Sequence, residues 1–89
     1  MTSPTARITV YGEALVDLVP AAAEPLAPLT PALGGGPFNV ARALGRLGAD
    51  VAFQSRLSDD AFGRALRESL AADGVDLSHC GQGPEPTTL

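Results

Sequence analysis

The sequence predicts an α/β fold with a mostly parallel sheet. Apolar, β-branched segments alternate along the chain with two segments of helical periodicity, in the order strand, flap, helix, strand, helix, strand. This alternation is typical of parallel sheets whose strands are joined by right-handed crossovers. Such sheets need helices on both faces, whereas two helices can barely cover one face. We therefore expect the 89 residues to be the N-terminal piece of a larger fold.

Two extended segments and a proline-rich segment open the chain. β-branched and apolar residues predict a strand over residues 7–11, and the apolar run over 14–19 predicts its extended continuation. Residues 20–33 contain four prolines, which remove backbone donors and favour a polyproline-like excursion. We expect 20–33 to be a loop or flap without regular sheet pairing in its middle.

Two helices are predicted from the spacing of apolar residues. The first spans residues 37–47 and ends at Gly48, and the second begins at Ser58, Asp59 or Asp60 and ends at Gly74. The residues expected to face the core are Val40, Ala43, Leu44 and Leu47 in the first helix and Phe62, Ala65, Leu66, Ser69 and Leu70 in the second. Short strands are expected over residues 51–55 and 75–77, followed by a turn-rich tail over 81–86.

Composition limits the classes of function. Ten acidic residues stand against six scattered arginines, giving a net charge of −4, so we expect no nucleic-acid partner. The chain contains no lysine, which excludes a Walker-type P-loop lysine and a Schiff-base lysine within these residues. No apolar run is long enough to cross a bilayer, and the single Cys80 cannot form an internal disulfide. These observations predict a cytoplasmic protein without membrane contact.

Three features of the sequence could bind a ligand. The glycine run from Gly34 places backbone amides and the positive end of a helix dipole at one point, although such runs often only connect elements. Asn39 could cap this helix locally or reach outward, and Asp17 could be a solvent-facing residue near a strand end or an acceptor for a ligand. Together they suit a neutral polyhydroxylated ligand. A dinucleotide motif would need glycine in place of Asn39, so that class is disfavoured.

Other reactive side chains favour structural interpretations. His79 and Cys80 are adjacent and have no further Cys or His to complete a zinc site, so we expect surface residues and no metal. Asp59 and Asp60 are consecutive and point in different directions, which favours helix capping over a paired acid and base.

One stretch of the sequence resembles the N-terminal signature of the PfkB, or ribokinase-like, carbohydrate kinases. The positions that carry this resemblance are Gly34, Gly35, Asn39, Ala41, Leu44, Leu47 and Gly48. Upstream, residues 12–20 (GEALVDLVP) resemble the first strand and substrate aspartate of the fructokinase and 2-keto-3-deoxygluconate kinase branch. Downstream, residues 60–63 and 74–76 fall where the family has similar residues. The resemblance extends over nearly the whole chain.

The resemblance implies a ribokinase-like three-layer fold and an ATP-dependent kinase that phosphorylates a hydroxyl of a hexose or a keto-deoxy sugar acid. It implies that Asp17 accepts hydrogen bonds from sugar hydroxyls, that Gly34 and Gly35 let the backbone approach the sugar, and that Asn39 bonds a further hydroxyl. Residues 20–33 would correspond to part of the substrate lid, through which the parent enzyme could form a homodimer. ATP and Mg²⁺ are implied for the full-length parent.

The family carries its catalytic aspartate in a Gly-Ala-Gly-Asp type motif in its C-terminal half, and no such motif occurs in these 89 residues. We therefore expect residues 1–89 to be the substrate-side part of a kinase domain that lacks the nucleotide-binding half. Such a segment would bind neither ATP nor Mg²⁺ and would have no catalytic residue or activity in isolation. Two alternatives stay open: a non-catalytic sugar-binding or interaction module, and an inactive truncated product whose alanine-rich core predicts poor stability.

Overall fold

A computed structural model describes residues 7–89 of the chain. Within these residues six strands and two helices follow one another. In chain order the elements are β1 (Ile8–Tyr11), β2 (Leu15–Pro20), β3 (Leu29–Gly34), α1 (Gly36–Arg46), β4 (Val51–Gln54), β5 (Arg56–Ser58), α2 (Ala61–Ala72) and β6 (Gly81–Gly83). The predicted α/β class is confirmed, because β1 pairs with β4 and β5 pairs with β6, both in parallel.

The sheet at the centre of the fold continues beyond β4. Phe53 donates its N–H to the carbonyl of Asp76 over 3.0 Å, and Asp76 donates its own N–H to the carbonyl of Val51 over 2.9 Å. The strand predicted over 75–77 therefore exists as a single parallel bridge between Ala52 and Asp76. The crossover helix α1 joins the flap to β4. Because β1 and β4 are parallel, their carboxyl ends lie at the same edge of the sheet.

Both helices end as the sequence predicts. Gly48 and Gly74 each follow a helix with φ of 81°, a left-handed conformation that suits glycine after the last turn. Asp60 is the N-cap of α2, and its side chain accepts the N–H of Gly63 over 2.7 Å. The capping interpretation of this aspartate is confirmed.

The face of α1 that packs on the core differs from the prediction. Phe38 and Ala41 are fully buried, whereas Val40 is 51% exposed and Leu47 is 82% exposed. Of the predicted face, only Leu44 packs partly against the core. The reason is that Phe38 has more apolar area to bury than Val40, and its burial rotates the helix away from the predicted face.

Seven large side chains with almost no exposed surface make the core. They are Val16, Phe38, Val51, Phe53, Leu57, Leu66 and Leu70. On α2 the two predicted leucines, Leu66 and Leu70, are buried, while Phe62, Ala65 and Ser69 are only half-buried. Four of the seven lie in strands: Val16 in β2, Val51 and Phe53 in β4, and Leu57 in β5. The core therefore extends to the base of the flap.

The flap is a β-hairpin, which corrects the expected loop over residues 20–33. β2 and β3 are antiparallel, with Asp17 opposite Ala32 and Pro20 opposite Leu29. Only the connection at residues 21–28 lacks strand structure. Prolines are tolerated because each strand of a two-stranded ribbon has a free edge, where a missing N–H breaks no ladder hydrogen bond.

Two expectations for the tail are also wrong. Residues 81–83 form β6 instead of a turn, because their backbone groups pair with β5 and with Asp59, whose N–H donates to Gly83 over 2.9 Å. Cys80 is half-buried and not a surface residue: its Sγ donates to the carbonyl of Phe53 over 3.0 Å. Burial raises the pKa of the Cys80 thiol. His79 is exposed, as predicted.

Within residues 7–89 neither helix has the length and apolar character needed to cross a membrane.

Candidate functional site

The base of the flap brings Asp17 against Gly34. Gly34, the last residue of β3, pairs with Leu15, and Asp17 is the next residue of β2 on the same face of the hairpin. A β-carbon at position 34 would lie 2.6 Å from Oδ2 of Asp17. Glycine at this position therefore leaves the room that the exposed Asp17 carboxylate occupies.

Gly35 makes the turn from the flap into α1. It is the N-cap of the helix, with φ of 104° and ψ of 137°, a backbone conformation that side chains disfavour. A β-carbon here would also lie 2.9 Å from the backbone carbonyl of Glu13. Backbone conformation and close approach both require glycine at this position, and the turn keeps the start of α1 beside Asp17.

Asn39 lies in the first turn of α1, where its N–H donates to the carbonyl of Gly35 over 2.9 Å. No side-chain hydrogen bond caps this helix and no acidic residue occurs in its first turn, so the local-capping alternative for Asn39 is wrong. The exposed Asn39 amide offers an acceptor and two donors. In the first turn of α1 the N–H groups of Gly36 and Phe38 lie before the first helical bond, whereas Pro37 has no N–H. The positive end of the helix dipole lies at the same point.

Asp17 and Gly34 are therefore neighbours, Gly35 is the next residue, and Asn39 lies in the helical turn that follows Gly35. We call these four residues the corner. It combines a carboxylate acceptor, a side-chain amide, helix amides and backbone without side chains. In the part of the chain that the structure describes, no side-chain hydrogen bond involves Asp17 or Asn39. Chemically, such a corner can bind a ligand that has several hydroxyl groups at adjacent positions.

The tail supports this corner through contacts that the sequence analysis missed. Val16, which precedes Asp17, donates its N–H to the carbonyl of Thr88 over 2.9 Å. Thr87 in turn donates its N–H to Oδ2 of Asp60 over 2.8 Å and its hydroxyl to Oδ1 over 2.6 Å. These bonds, led by that of the Thr87 hydroxyl, lower the pKa of Asp60 to about 2. No local pattern signals them, because 27 residues separate Asp60 from Thr87.

Two cavities lie near the corner without including it. One of about 430 Å³ is lined at the ends of β1 and β4 by Tyr11, Gly12, Glu13, Gln54, Ser55, Arg56 and His79. The other, of about 300 Å³, lies between the start of β2 and the tail. Neither is lined by Asp17, Gly34, Gly35 or Asn39, and the side chains of Asp17 and Asn39 are exposed.

The residues that the structure describes do not form a metal site. Among residues 7–89 no three His, Cys, Asp or Glu side chains come together to hold an ion.

A model of the pfkB family carbohydrate kinases matches residues 5–89. The chain belongs to the pfkB family of carbohydrate kinases. The resemblance of the signature around Gly34 and Asn39 is thus confirmed. Among curated relatives, a fructokinase of Rhizobium leguminosarum bv. trifolii is 43% identical over 86 residues, covering 92% of this chain and 26% of the relative.

Solved pfkB-type structures share the fold. A fructokinase of Vibrio cholerae O395, in its form with bound fructose, ADP and calcium ion, superposes with a TM-score of 0.81 and 34% identity, covering 94% of this chain and 26% of that one. A 2-dehydro-3-deoxygluconokinase of Thermotoga maritima has a TM-score of 0.81 at 24% identity, covering 91% and 26%, and that likeness shows the fold alone. The chain spans about a quarter of the length of the curated relatives it matches, and it resembles the N-terminal part of fructokinase-like pfkB sugar kinases.

Proposed function

We propose that this chain supplies the sugar-binding residues of an ATP-dependent, fructokinase-like sugar kinase. The observation that carries the proposal is the contact between Asp17 and Gly34 beside the uncapped start of α1, in a chain of the pfkB family. The fructose-bound and ADP-bound state of the Vibrio cholerae relative supports fructose as the first substrate to test.

Each residue of the corner has a role in binding the sugar. Asp17 accepts hydrogen bonds from sugar hydroxyls, and a hydrogen bond to a charged group is worth about 1.5–3 kcal/mol. Gly34 leaves the room that the Asp17 carboxylate needs, and Gly35 makes the turn into α1. N–H groups at the start of α1 donate to sugar oxygens. The side-chain NH₂ of Asn39 donates to a further sugar hydroxyl, or its carbonyl oxygen accepts from that hydroxyl. Carboxylate acceptors and amide donors on one corner orient the sugar as well as retain it.

The reaction of the whole kinase transfers the γ-phosphoryl group of ATP to one sugar hydroxyl. The bond from the γ-phosphorus to the β–γ bridging oxygen breaks, a bond from phosphorus to the sugar oxygen forms, and the hydroxyl proton passes to a base. The family's motif for that base is not within the 89 residues. ATP, Mg²⁺ and the base belong in this proposal to the rest of the kinase, and residues 7–89 bind and orient the acceptor.

The flap covers the sugar in this proposal. From Asp17 to Ala32 most of its residues are exposed, so it is free to close over a ligand at its base and exclude water. Its exposed apolar side chains, Leu18, Val19, Leu26 and Leu29, support contact with a second subunit in the parent enzyme. Analytical ultracentrifugation of the protein tests this pairing, and a monomer at high concentration would contradict it.

The first test is the mass of the protein in a lysate of its source. If the mass is several times that of an 89-residue chain, the next assay is sugar-dependent ATP turnover. If the mass is that of 89 residues, the next assay is calorimetric titration with fructose. In either assay we expect Asp17→Asn to weaken fructose binding at least about tenfold. Glu68→Gln, which removes an exposed carboxylate on α2 far in sequence from the flap, is the matched control and should bind as the wild type does. Equal affinity of the Asp17 variant and the control would contradict the proposal.

A further inference from the structure

The carboxylate of Asp60 does more than cap α2. Its Oδ1 accepts the N–H of Gly63 over 2.7 Å and the hydroxyl of Thr87 over 2.6 Å, and its Oδ2 accepts the N–H of Thr87 over 2.8 Å. A cap needs only the first of these three bonds. The other two fix the backbone and the side chain of one residue in the tail.

The fixed tail in turn holds the base of the flap. Thr88 follows Thr87 directly, and its carbonyl accepts the N–H of Val16 over 2.9 Å. Val16 has no exposed surface, so this hydrogen bond lies where the flap joins the core. The bonds form a continuous path from Asp60 through Thr87 and Thr88 to Val16, the residue before Asp17.

The register of β2 decides where Asp17 points. Successive side chains of a strand point to opposite faces, and a shift of one residue exchanges the two faces. Burial of Val16 therefore directs Asp17 to the face that it shares with Gly34. A two-stranded hairpin is marginally stable by itself, so its register needs a bond to the rest of the fold.

We propose that Asp60, acting through Thr87 and Thr88, is a positioning residue for the sugar-binding carboxylate of Asp17. The proposal rests on the proposed function of Asp17. It predicts two separable effects of breaking the path: the Val16 amide loses protection, and sugar affinity falls without a change in the chemical step.

The experiment compares Thr87→Val with Thr87→Ser in the protein as its source produces it. Valine keeps the shape and removes the hydroxyl, whereas serine keeps the hydroxyl and should restore wild-type behaviour. Asp60→Asn is a second route, because asparagine caps a helix as well as aspartate does but replaces one acceptor oxygen with an N–H₂ donor. Asp59→Asn is its matched control, since no side-chain hydrogen bond in residues 7–89 involves the Asp59 carboxylate.

The first readout is amide hydrogen exchange. In Thr87→Val we expect the Val16 amide to exchange about tenfold faster, while the Phe53 amide in the central sheet is unchanged. The second readout is fructose affinity, from steady-state kinetics if the protein turns over ATP and from calorimetric titration if it does not. We expect KM, or Kd in the titration, to rise about threefold to tenfold, with kcat unchanged where it is measurable, the signature of lost uniform binding.

Each contrary result overturns the proposal at a stated step. Unchanged Val16 exchange in a folded Thr87→Val protein shows that the tail does not hold the flap. Faster exchange with an unchanged KM, while Asp17→Asn raises KM, shows that the path exists but positions nothing. If Asp17→Asn itself leaves KM unchanged, the proposed function fails first. If both Thr87→Val and Asp60→Asn unfold while Asp59→Asn folds, the role is structural only.

Discussion

The carboxylate of Asp17 lies so close to the α-carbon of Gly34 that a β-carbon at position 34 would be 2.6 Å from Oδ2. The two residues are 17 positions apart in the sequence and come together because the flap folds back on itself as a hairpin. Asp17 therefore lies directly against the start of the di-glycine turn. A side chain added at position 34 would displace the Asp17 carboxylate, which is exposed, and would leave the backbone in place.

The first prediction concerns Gly34→Ala. Its new methyl group would push the Asp17 carboxylate aside, which is possible because that side chain ends in solvent. We expect KM for fructose to rise about threefold to tenfold, because one charged hydrogen bond to the sugar is misdirected. The melting temperature should change little. Steady-state kinetics and thermal unfolding of the same samples measure the two effects.

Gly81→Ala is the matched control for Gly34→Ala. Gly81 is the first residue of β6, a β-carbon there would lie no closer than 3.6 Å to its neighbours, and its φ is not positive. Alanine should leave KM unchanged and raise stability slightly, by about 0.4–1 kcal/mol. A loss of sugar affinity in both variants would show that the effect does not depend on position 34, and the specific contact with Asp17 would be contradicted.

The sequence was sufficient for features that depend on local chemistry. Asp60 caps α2, Gly48 and Gly74 end the helices, and the order of strands and helices predicts a parallel sheet, because each of these follows from neighbouring residues. The four candidate site residues were also predicted locally, by their spacing and family signature. That Asp17 lies beside Gly34 is a property of the hairpin.

The features that sequence reasoning missed depend on distant partners. Val40 and Phe38 both fit an amphipathic pattern, and only packing against the sheet decides that Phe38 is buried. Pro31 argues against a strand until the strand is known to be in a two-stranded ribbon. The bond between Thr87 and Asp60 joins residues 27 positions apart, and no periodicity reports such a pair.

The second prediction concerns the contact between the two helices. A β-carbon at Gly45 of α1 would clash with the backbone carbonyl of Asp73, which follows α2, and would lie 3.1 Å from Cγ2 of Val75. Alanine favours a helix by about 0.8–1 kcal/mol over glycine, but a backbone atom cannot move aside. We expect Gly45→Ala to destabilise the protein by about 1–3 kcal/mol, as measured by urea unfolding, and a more stable variant would contradict the close helix contact.

The third prediction is a loss of stability in acid. The Thr87 hydroxyl and backbone lower the pKa of Asp60 to about 2, and the N–H of Ser78, followed by Arg7, lowers the pKa of Asp76 to about 2. Both carboxyls have depressed pKa values in the folded state, so their stabilising contribution is complete above about pH 4 and is lost as the pH falls toward 2. Thermal unfolding between pH 7 and pH 2 should show a declining melting temperature over that window.

The variant Thr87→Val separates the contribution of Asp60 from that of Asp76. Without the hydroxyl, the pKa of Asp60 moves back toward its ordinary value, and the decline between pH 4 and pH 2 should become shallower. Thr88→Val is the control, because its exposed side chain makes no hydrogen bond with Asp60. Acid profiles of the wild type and of Thr87→Val that coincide would show that the hydroxyl does not stabilise the charged carboxylate.

The last prediction compares the two faces of α1. Phe38 has no exposed surface, whereas Leu47 is 82% exposed. Phe38→Ala should cost about 3–5 kcal/mol, a large share of the about 4–13 kcal/mol expected for a folded chain of 89 residues. We expect the cooperative unfolding transition to be severely weakened or lost. Leu47→Ala should change stability by no more than about 0.5 kcal/mol, because a solvated side chain loses no packing. If Leu47→Ala is as costly as Phe38→Ala in the protein from its source, a further segment or subunit covers that face of α1.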